Sequence, residues 1–389
     1  MSSQIPLSLA NITEEEILAA TDALRSQELT LGPWTKKFED LVSKHTNNRN
    51  GIATNSGNSA MEIALESLGV GKGHEVLTAS FAFPSTASAI LHIGATPRFV
   101  DCDPRTLNLD VKDVESKIGE STKAIIATHT FGNPAGIDEL ARLAQEFEIP
   151  LIEDARQAIG SKLDGRQVGT FGRVAVFAFH SASQLTCVEG GMIVTDDDHL
   201  AKGCRLARNH GYDSSPVATL EDLHQVRTDE HLHARGHGYR LSEVHAAVGC
   251  IQMSRMEAIL EKRAAIAEWY TERLCGITEI MCPTIEPDVE MSWDGYVVRL
   301  GDRFSREERD EVIRGLHRHD IGAADFYQSI PTLPPFHSYD TNENACPVAQ
   351  SLSKRTVALP FYTMLTQRDV DIVCQTLELM LTRGTFSDV

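Results

Sequence analysis

The chain has no surplus of basic residues. Its 389 residues carry 36 Lys and Arg against 55 Asp and Glu, a formal net charge of −19. A surface this acidic repels phosphate backbones, which argues against nucleic-acid binding but leaves room for a local anion pocket. No apolar run reaches the roughly 18 residues that a membrane span needs. The first residues, MSSQIPLSLANITEEE, lack the basic start and apolar core of a secretory leader, so none is expected. The eight cysteines include no CxxC pair and read as reduced thiols of a cytoplasmic protein. Internal repeats and low-complexity segments are also missing. His231, His233 and His237 lie close together, but their spacing holds no single helical face, so a solvated loop is expected there rather than zinc.

What is present is an ordinary globular composition, 42% hydrophobic and 23% charged. Thr13 and Glu16 have capping-box spacing and open a helix to about Leu24. Strand-like runs at 51–55, 75–80, 98–101, 124–128 and 151–154 alternate with helical patterns such as 137–147. That alternation predicts a mostly parallel sheet covered on both faces. Ligands in such sheets bind outside the carboxyl ends of the strands. From Ser242 a helical pattern runs on toward Leu274, and beyond it the pattern becomes strand-rich. The expected division is a large domain over residues 1–255 and a smaller C-terminal α/β domain over 256–389.

Two stretches promise chemistry. Ser56-Gly57-Asn58-Ser59 turns from a strand into a helix whose apolar residues Met61, Ala64, Leu65 and Leu68 keep helical spacing. Free amides, the positive end of the helix dipole and Gly57 make this a candidate phosphate site. Plain N-capping by Asn58 or Ser59 explains the same residues. The second stretch, FGRVAVFAFHSASQLTCVEGGMIVTDD from Phe171 to Asp197, reads as strand, polar turn, strand.

This second stretch resembles the cofactor-lysine segment of the DegT/DnrJ/StrS family of sugar aminotransferases, FSFHxxKN(L/I)TxxEGGM(I/V)VT. SGNSA resembles that family's phosphate-binding SGTxA, and GHGYRLSEVHAAVG resembles its GYNYRMSEIQAALG. The resemblance implies the aspartate-aminotransferase (fold-type I) architecture, pyridoxal phosphate (PLP) chemistry and a homodimer. It implies cofactor-binding roles for Gly57, Asn58 and Ser59 at the phosphate, for Phe83 stacked on the ring, and for Asp154 at the ring nitrogen. Gln157 is implied near the ring hydroxyl. His129 matches a family histidine beside the cofactor, and a structural role suits it as well.

The family's Schiff-base lysine is absent. Ser183 stands in its place, and a hydroxyl can neither form the imine nor serve as a good base at neutral pH. His180 is the nearest candidate base in the sequence. Ala178 replaces a phosphate-binding serine, and Gly238 an asparagine that reaches the partner's cofactor. Each lost hydrogen bond to a charged group is worth roughly 1.5–3 kcal/mol. Arg156 replaces a small residue and is either a cation for a phosphate or carboxylate, or a surface or interface arginine. Three roles stay open. One is an enzyme holding pyridoxamine phosphate (PMP) or PLP noncovalently and acting on a keto sugar, nucleotide-linked or cyclitol, as the family's histidine-bearing sugar dehydratases do. Another is a fold turned to a PLP-independent reaction or binding role. The third is an aminotransferase with its lysine replaced by engineering, against which Ala178 and Gly238 argue.

Overall fold

The computed structural model of the chain describes residues 4–212, 232–339 and 345–383. Helix α1 (Glu14–Arg25) begins with the expected capping box: the Thr13 amide donates to Glu16 Oε2 at 2.7 Å. Helix α2 (Pro33–His45) starts at a Gly-Pro pair, where proline at the first position wastes no hydrogen bond. The free amides of a helix N-terminus need acceptors. Here the buried Glu243 carboxylate supplies them, taking hydrogen bonds from the amides of Gly32 (2.9 Å), Trp34 (2.7 Å) and Thr35 (2.9 Å).

Strand β1 (Asn50–Thr54) leads into α3 (Gly57–Ser67), then come β2 (Glu75–Ala79), α4 (Ser85–His92) and β3 (Thr96–Val100). The strands β4 (Thr122–Thr128), β5 (Leu151–Asp154), β6 (Val174–Ala178) and β7 (Gly191–Thr195) complete a seven-stranded sheet ordered β1-β7-β6-β5-β4-β2-β3. Pairing is parallel from β3 through β6 and antiparallel at β6–β7 and β7–β1. This is the mixed, mainly parallel sheet of an aspartate-aminotransferase-like fold. Successive side chains of a strand point to opposite faces. Accordingly Val174 and Val176 pack with Met61, Ile63 and Leu65 of α3, while Ala175 and Phe177 pack with Phe38 of α2 on the other side. Both faces are covered, which explains why β6 reads as a continuous apolar run.

The helix expected from Ser242 to Leu274 is two helices, α5 (Glu243–Ser254) and α6 (Met256–Leu274). Arg255 lies between them at φ −102° and ψ 2°. Its guanidinium donates to Glu16 at 2.6 Å, and Gln252 donates to the same oxygen at 2.8 Å. A contact 239 residues away in sequence thus fixes the break. After α6, short strands at Ile280–Met281, Tyr296–Leu300 and Thr356–Leu359 form an antiparallel sheet. Tyr270, Tyr296, Leu316 and Phe361 are buried in the core beside it.

Two expectations are corrected or narrowed. Six cysteines are buried and outside any disulfide, but Cys275 and Cys282 form one, their Cα atoms 5.8 Å apart. Cys275 caps α6 and Cys282 follows the next strand, so the turn between them brings the two together. Of the three histidines, His231 lies outside the described residues, His233 is exposed, and His237 stacks on Tyr239 and pairs with Glu66 at 2.9 Å. No metal-holding cluster occurs among the described residues, and no helix among them is long and apolar enough to cross a membrane.

Glu243 joins α5 to the start of α2, and removing it leaves three amides there, that of the buried Thr35 among them, without their acceptor. Glu243→Ala should lower the unfolding free energy by about 3 kcal/mol or more, with Glu243→Gln losing less. Denaturant titration checks this, and a loss below about 1 kcal/mol would contradict the assignment.

Candidate functional site

The parallel strands end at a cleft of about 450 Å³. Gly57, Asn58, Phe83, Asp154, Arg156, Gln157, His180 and Ser183 all line it. Eight of the nine expected site residues therefore meet in one place, drawn from loops that follow β1, β2, β5 and β6. The ninth, Ser59, does not. It is buried, and its hydroxyl donates to Asn55 Oδ1 at 2.7 Å. The N-cap of α3 is Ser56, whose Oγ accepts from the Ser59 amide at 3.1 Å. Neither Asn58 nor Ser59 is the cap, and Asn58 donates its side-chain amide to Glu62 at 2.7 Å.

Asp154 ends β5 as a buried charge, which requires a partner. Arg156 supplies it from two residues along the chain. Its Nε donates to Oδ1 at 2.7 Å and its Nη2 to Oδ2 at 2.6 Å, a bidentate fork. The Thr86 hydroxyl donates to Oδ2 at 2.7 Å, and Arg156 Nη1 donates to Ser85 Oγ at 2.6 Å. Burial alone would raise the Asp154 carboxyl. The Arg156 charge and the hydrogen bonds from Arg156 and Thr86 outweigh it and hold the group below the ordinary carboxylate range. Arg156 is therefore not an exposed surface arginine, and its guanidinium is committed to Asp154, Thr86 and Ser85 rather than left as a free cation. Its stem crosses the start of α3: a Cβ placed on Gly57 would lie 2.8 Å from Arg156 Cδ and 2.9 Å from Ala178 Cβ.

The turn after β6 holds the other two candidates. The Ser183 hydroxyl accepts from the His180 amide at 3.2 Å. His180 Nδ1 accepts from the Ala182 amide at 3.2 Å, which leaves the ring proton on Nε2, 3.3 Å from Glu189. No lysine is found among the described residues that line the cleft. Lys162 pairs with Glu290 at 2.7 Å instead. Phe83 is 60% exposed and offers an open aromatic face. Gln157 donates to the Tyr327 hydroxyl at 2.6 Å and accepts from the Phe131 amide at 3.1 Å. His129 is buried and 3.0 Å from Glu153, which also accepts amides from Gly169, Phe171 and Gly172. It is a structural histidine.

Sequence reasoning missed Ser85, Thr86 and Asp294. The first two are small residues at the start of α4 with no motif around them. Asp294 lies on the cleft wall, and burial pushes its carboxyl up to about 6 against the pull of the Arg263 charge and a Gln157 hydrogen bond.

The residues present do not fit a PLP cofactor held in the way the resemblance implies. Position 183 offers no amine. Both Asp154 oxygens already accept from Arg156, whose charge answers the carboxylate, and Arg156 and Ala178 crowd the Cβ side of Gly57.

The model of the DegT/DnrJ/EryC1/StrS aminotransferase family matches residues 10–378. The spore coat polysaccharide biosynthesis protein SpsC of Bacillus subtilis is 30% identical over 375 residues, 95% of each protein. Among solved structures, the aminotransferase TlmJ from Streptoalloteichus hindustanus superposes with a TM-score of 0.88 at 29% identity, covering 98% of this chain and all of that one. DesV of S. venezuelae, solved in complex with a ketimine intermediate, superposes at 0.85 with 29% identity over 94% of each chain.

The raised Asp294 carboxyl gives stability a pH dependence of known sign. The fold favours its neutral form, so this contribution is full below the unfolded value of about 3.9 and is lost as pH rises through about 6. Asp294→Asn should flatten the stability profile over that window in denaturant titrations. An unchanged slope would show that Asp294 titrates normally.

Proposed function

The chain belongs to the DegT/DnrJ/EryC1/StrS aminotransferase family, and from that premise we propose that it is a lysine-less member with a PLP-independent role. Its cleft binds a sugar-class small molecule, a keto sugar that is either nucleotide-linked or a cyclitol. The observation that carries this reading is the turn at Ser183, where a hydroxyl engaged by the His180 amide stands in place of an amine. Noncovalent use of PMP or PLP is disfavoured by the occupied Asp154 carboxylate. A lysine removed by engineering is disfavoured because Arg156 and Ala178 differ from the family pattern as well.

The chain's own groups suit a polyhydroxylated ring. The open face of Phe83 can cover its apolar side. The Ser183 hydroxyl, the His180 Nε2 proton and the Glu189 carboxylate stand at the cleft's edge for its hydroxyls, with His180 and Asp294 as candidate proton carriers.

A homodimer is part of the proposal. Ile12, Ile17, Leu18, Leu24 and Leu29, along and beside α1, are all exposed, a density of apolar side chains that fits a covered surface. So is a cytoplasmic location, with the Cys275–Cys282 disulfide as the feature that weighs against it. The division of the chain near residue 255 belongs to the same reading.

Purified protein mixed with PLP should develop no imine absorbance, leave no borohydride-trapped adduct and transfer no amino group from glutamate. Keto sugars, free or nucleotide-linked, should raise its melting temperature, and Phe83→Ala should reduce that rise. Covalent trapping of PLP on a lysine would overturn the reading.

A further inference from the structure

We infer that the Arg156 guanidinium is a built-in occupant of the seat that a cofactor's protonated ring nitrogen would take, so that one side chain of the protein closes the cleft to PLP and PMP. The inference deepens the PLP-independent reading and takes the identity of the seat from the family resemblance.

The geometry makes the substitution specific. A pyridinium offers Asp154 one charge and one N–H donor. Arg156 offers the same charge and two donors, one to each carboxylate oxygen, at 2.7 and 2.6 Å. It is fixed from outside by Ser85 at 2.6 Å and by the Thr86 hydroxyl. Most of its five N–H groups are thereby engaged, and its side chain is largely buried. An incoming ring would have to displace this fork and leave a buried guanidinium unpaired, the costly outcome for a desolvated ion pair. Burial alone would lower the Arg156 pKa, but the Asp154 charge outweighs it, so Arg156 keeps its proton more firmly than a free arginine. A guanidinium cannot withdraw electrons from a substrate as a cofactor ring does. With Arg156 in the seat, Asp154 holds the end of β5 together and takes no part in cofactor electronics.

The stem adds a second block. Arg156 Cδ and Cγ would lie 2.8 and 3.3 Å from a Cβ on Gly57, where a close approach to the α3 amides is otherwise possible. One residue thus covers both the nitrogen seat and the approach to the helix N-terminus. Replacing it with a small side chain opens both and leaves the Asp154 carboxylate with Thr86 as its remaining side-chain donor. That is an uncompensated buried anion, for which a pyridinium is the matching cation.

The test is titration of full-length protein with PMP, followed by calorimetry and by the change in PMP fluorescence, so that no turnover is needed. Wild type should show no saturable binding. Arg156→Ala should bind PMP about 100-fold or more tightly than wild type. The double variant Asp154→Asn with Arg156→Ala should lose most of that gain, because the partner of the ring nitrogen is gone. If Arg156→Ala does not fold, Arg156→Gln keeps an amide donor on Asp154, and it should show a smaller gain in the same direction. A folded Arg156 variant that still rejects PMP would overturn this inference while leaving the PLP-independent reading intact. Wild type that binds PMP as tightly as the variants would overturn both.

Discussion

A carboxylate at the end of a central parallel strand cannot be left alone in the interior. Asp154 occupies such a position, and the local structure of the cleft follows from how its charge is answered. The answer comes from Arg156, two residues on, whose fork requires Thr86 and Ser85 at the start of α4 to complete it. Once those four groups are joined, α4, β5 and the following turn are fixed relative to one another. The arginine stem then lies across the start of α3. The pair is neutral as a unit, and Arg156 is the one Arg or Lys among the described residues that line the cleft.

Buried carboxylates recur as the joints of this fold. Glu243 closes the N-terminus of α2, Glu153 gathers three backbone amides and His129 behind β5, and Glu16 gathers Gln252 and Arg255 at the junction of α5 and α6. In each case several donors, amides or a guanidinium, converge on the buried anion, which is what a desolvated charge requires. Asp154 follows the same rule. Asp294 differs: it has an arginine nearby, but burial still leaves its carboxyl raised.

Much of the architecture could be read from the sequence because it is set by local pattern. The Thr13–Glu16 box, the apolar spacing of α3 and the continuous run of β6 each reflect forces acting within a few residues. The site was legible through its motif positions: Gly57, Asn58, Phe83, Asp154, Gln157, His180 and Ser183 all reach the cleft. What escaped depends on contacts distant in sequence or on side-chain direction. Arg255 breaks a helix because Glu16 lies beside it. Ser59 turns its hydroxyl back to Asn55, which the helical register alone does not reveal. Cys275 and Cys282 pair through a turn whose shape spacing does not encode. The orientation of Arg156 was likewise hidden, because nothing in IEDARQA says whether the guanidinium points outward or folds back onto Asp154.

The central claim is that Asp154 is satisfied by the chain itself. A crystal structure of wild-type protein grown with a large excess of PMP tests it most directly. The account predicts that the fork persists, with Arg156 Nε and Nη2 near 2.7 and 2.6 Å from the two Asp154 oxygens and no ring density above Gly57. A pyridine nitrogen within hydrogen-bonding distance of Asp154, with Arg156 swung clear of the cleft, would contradict it.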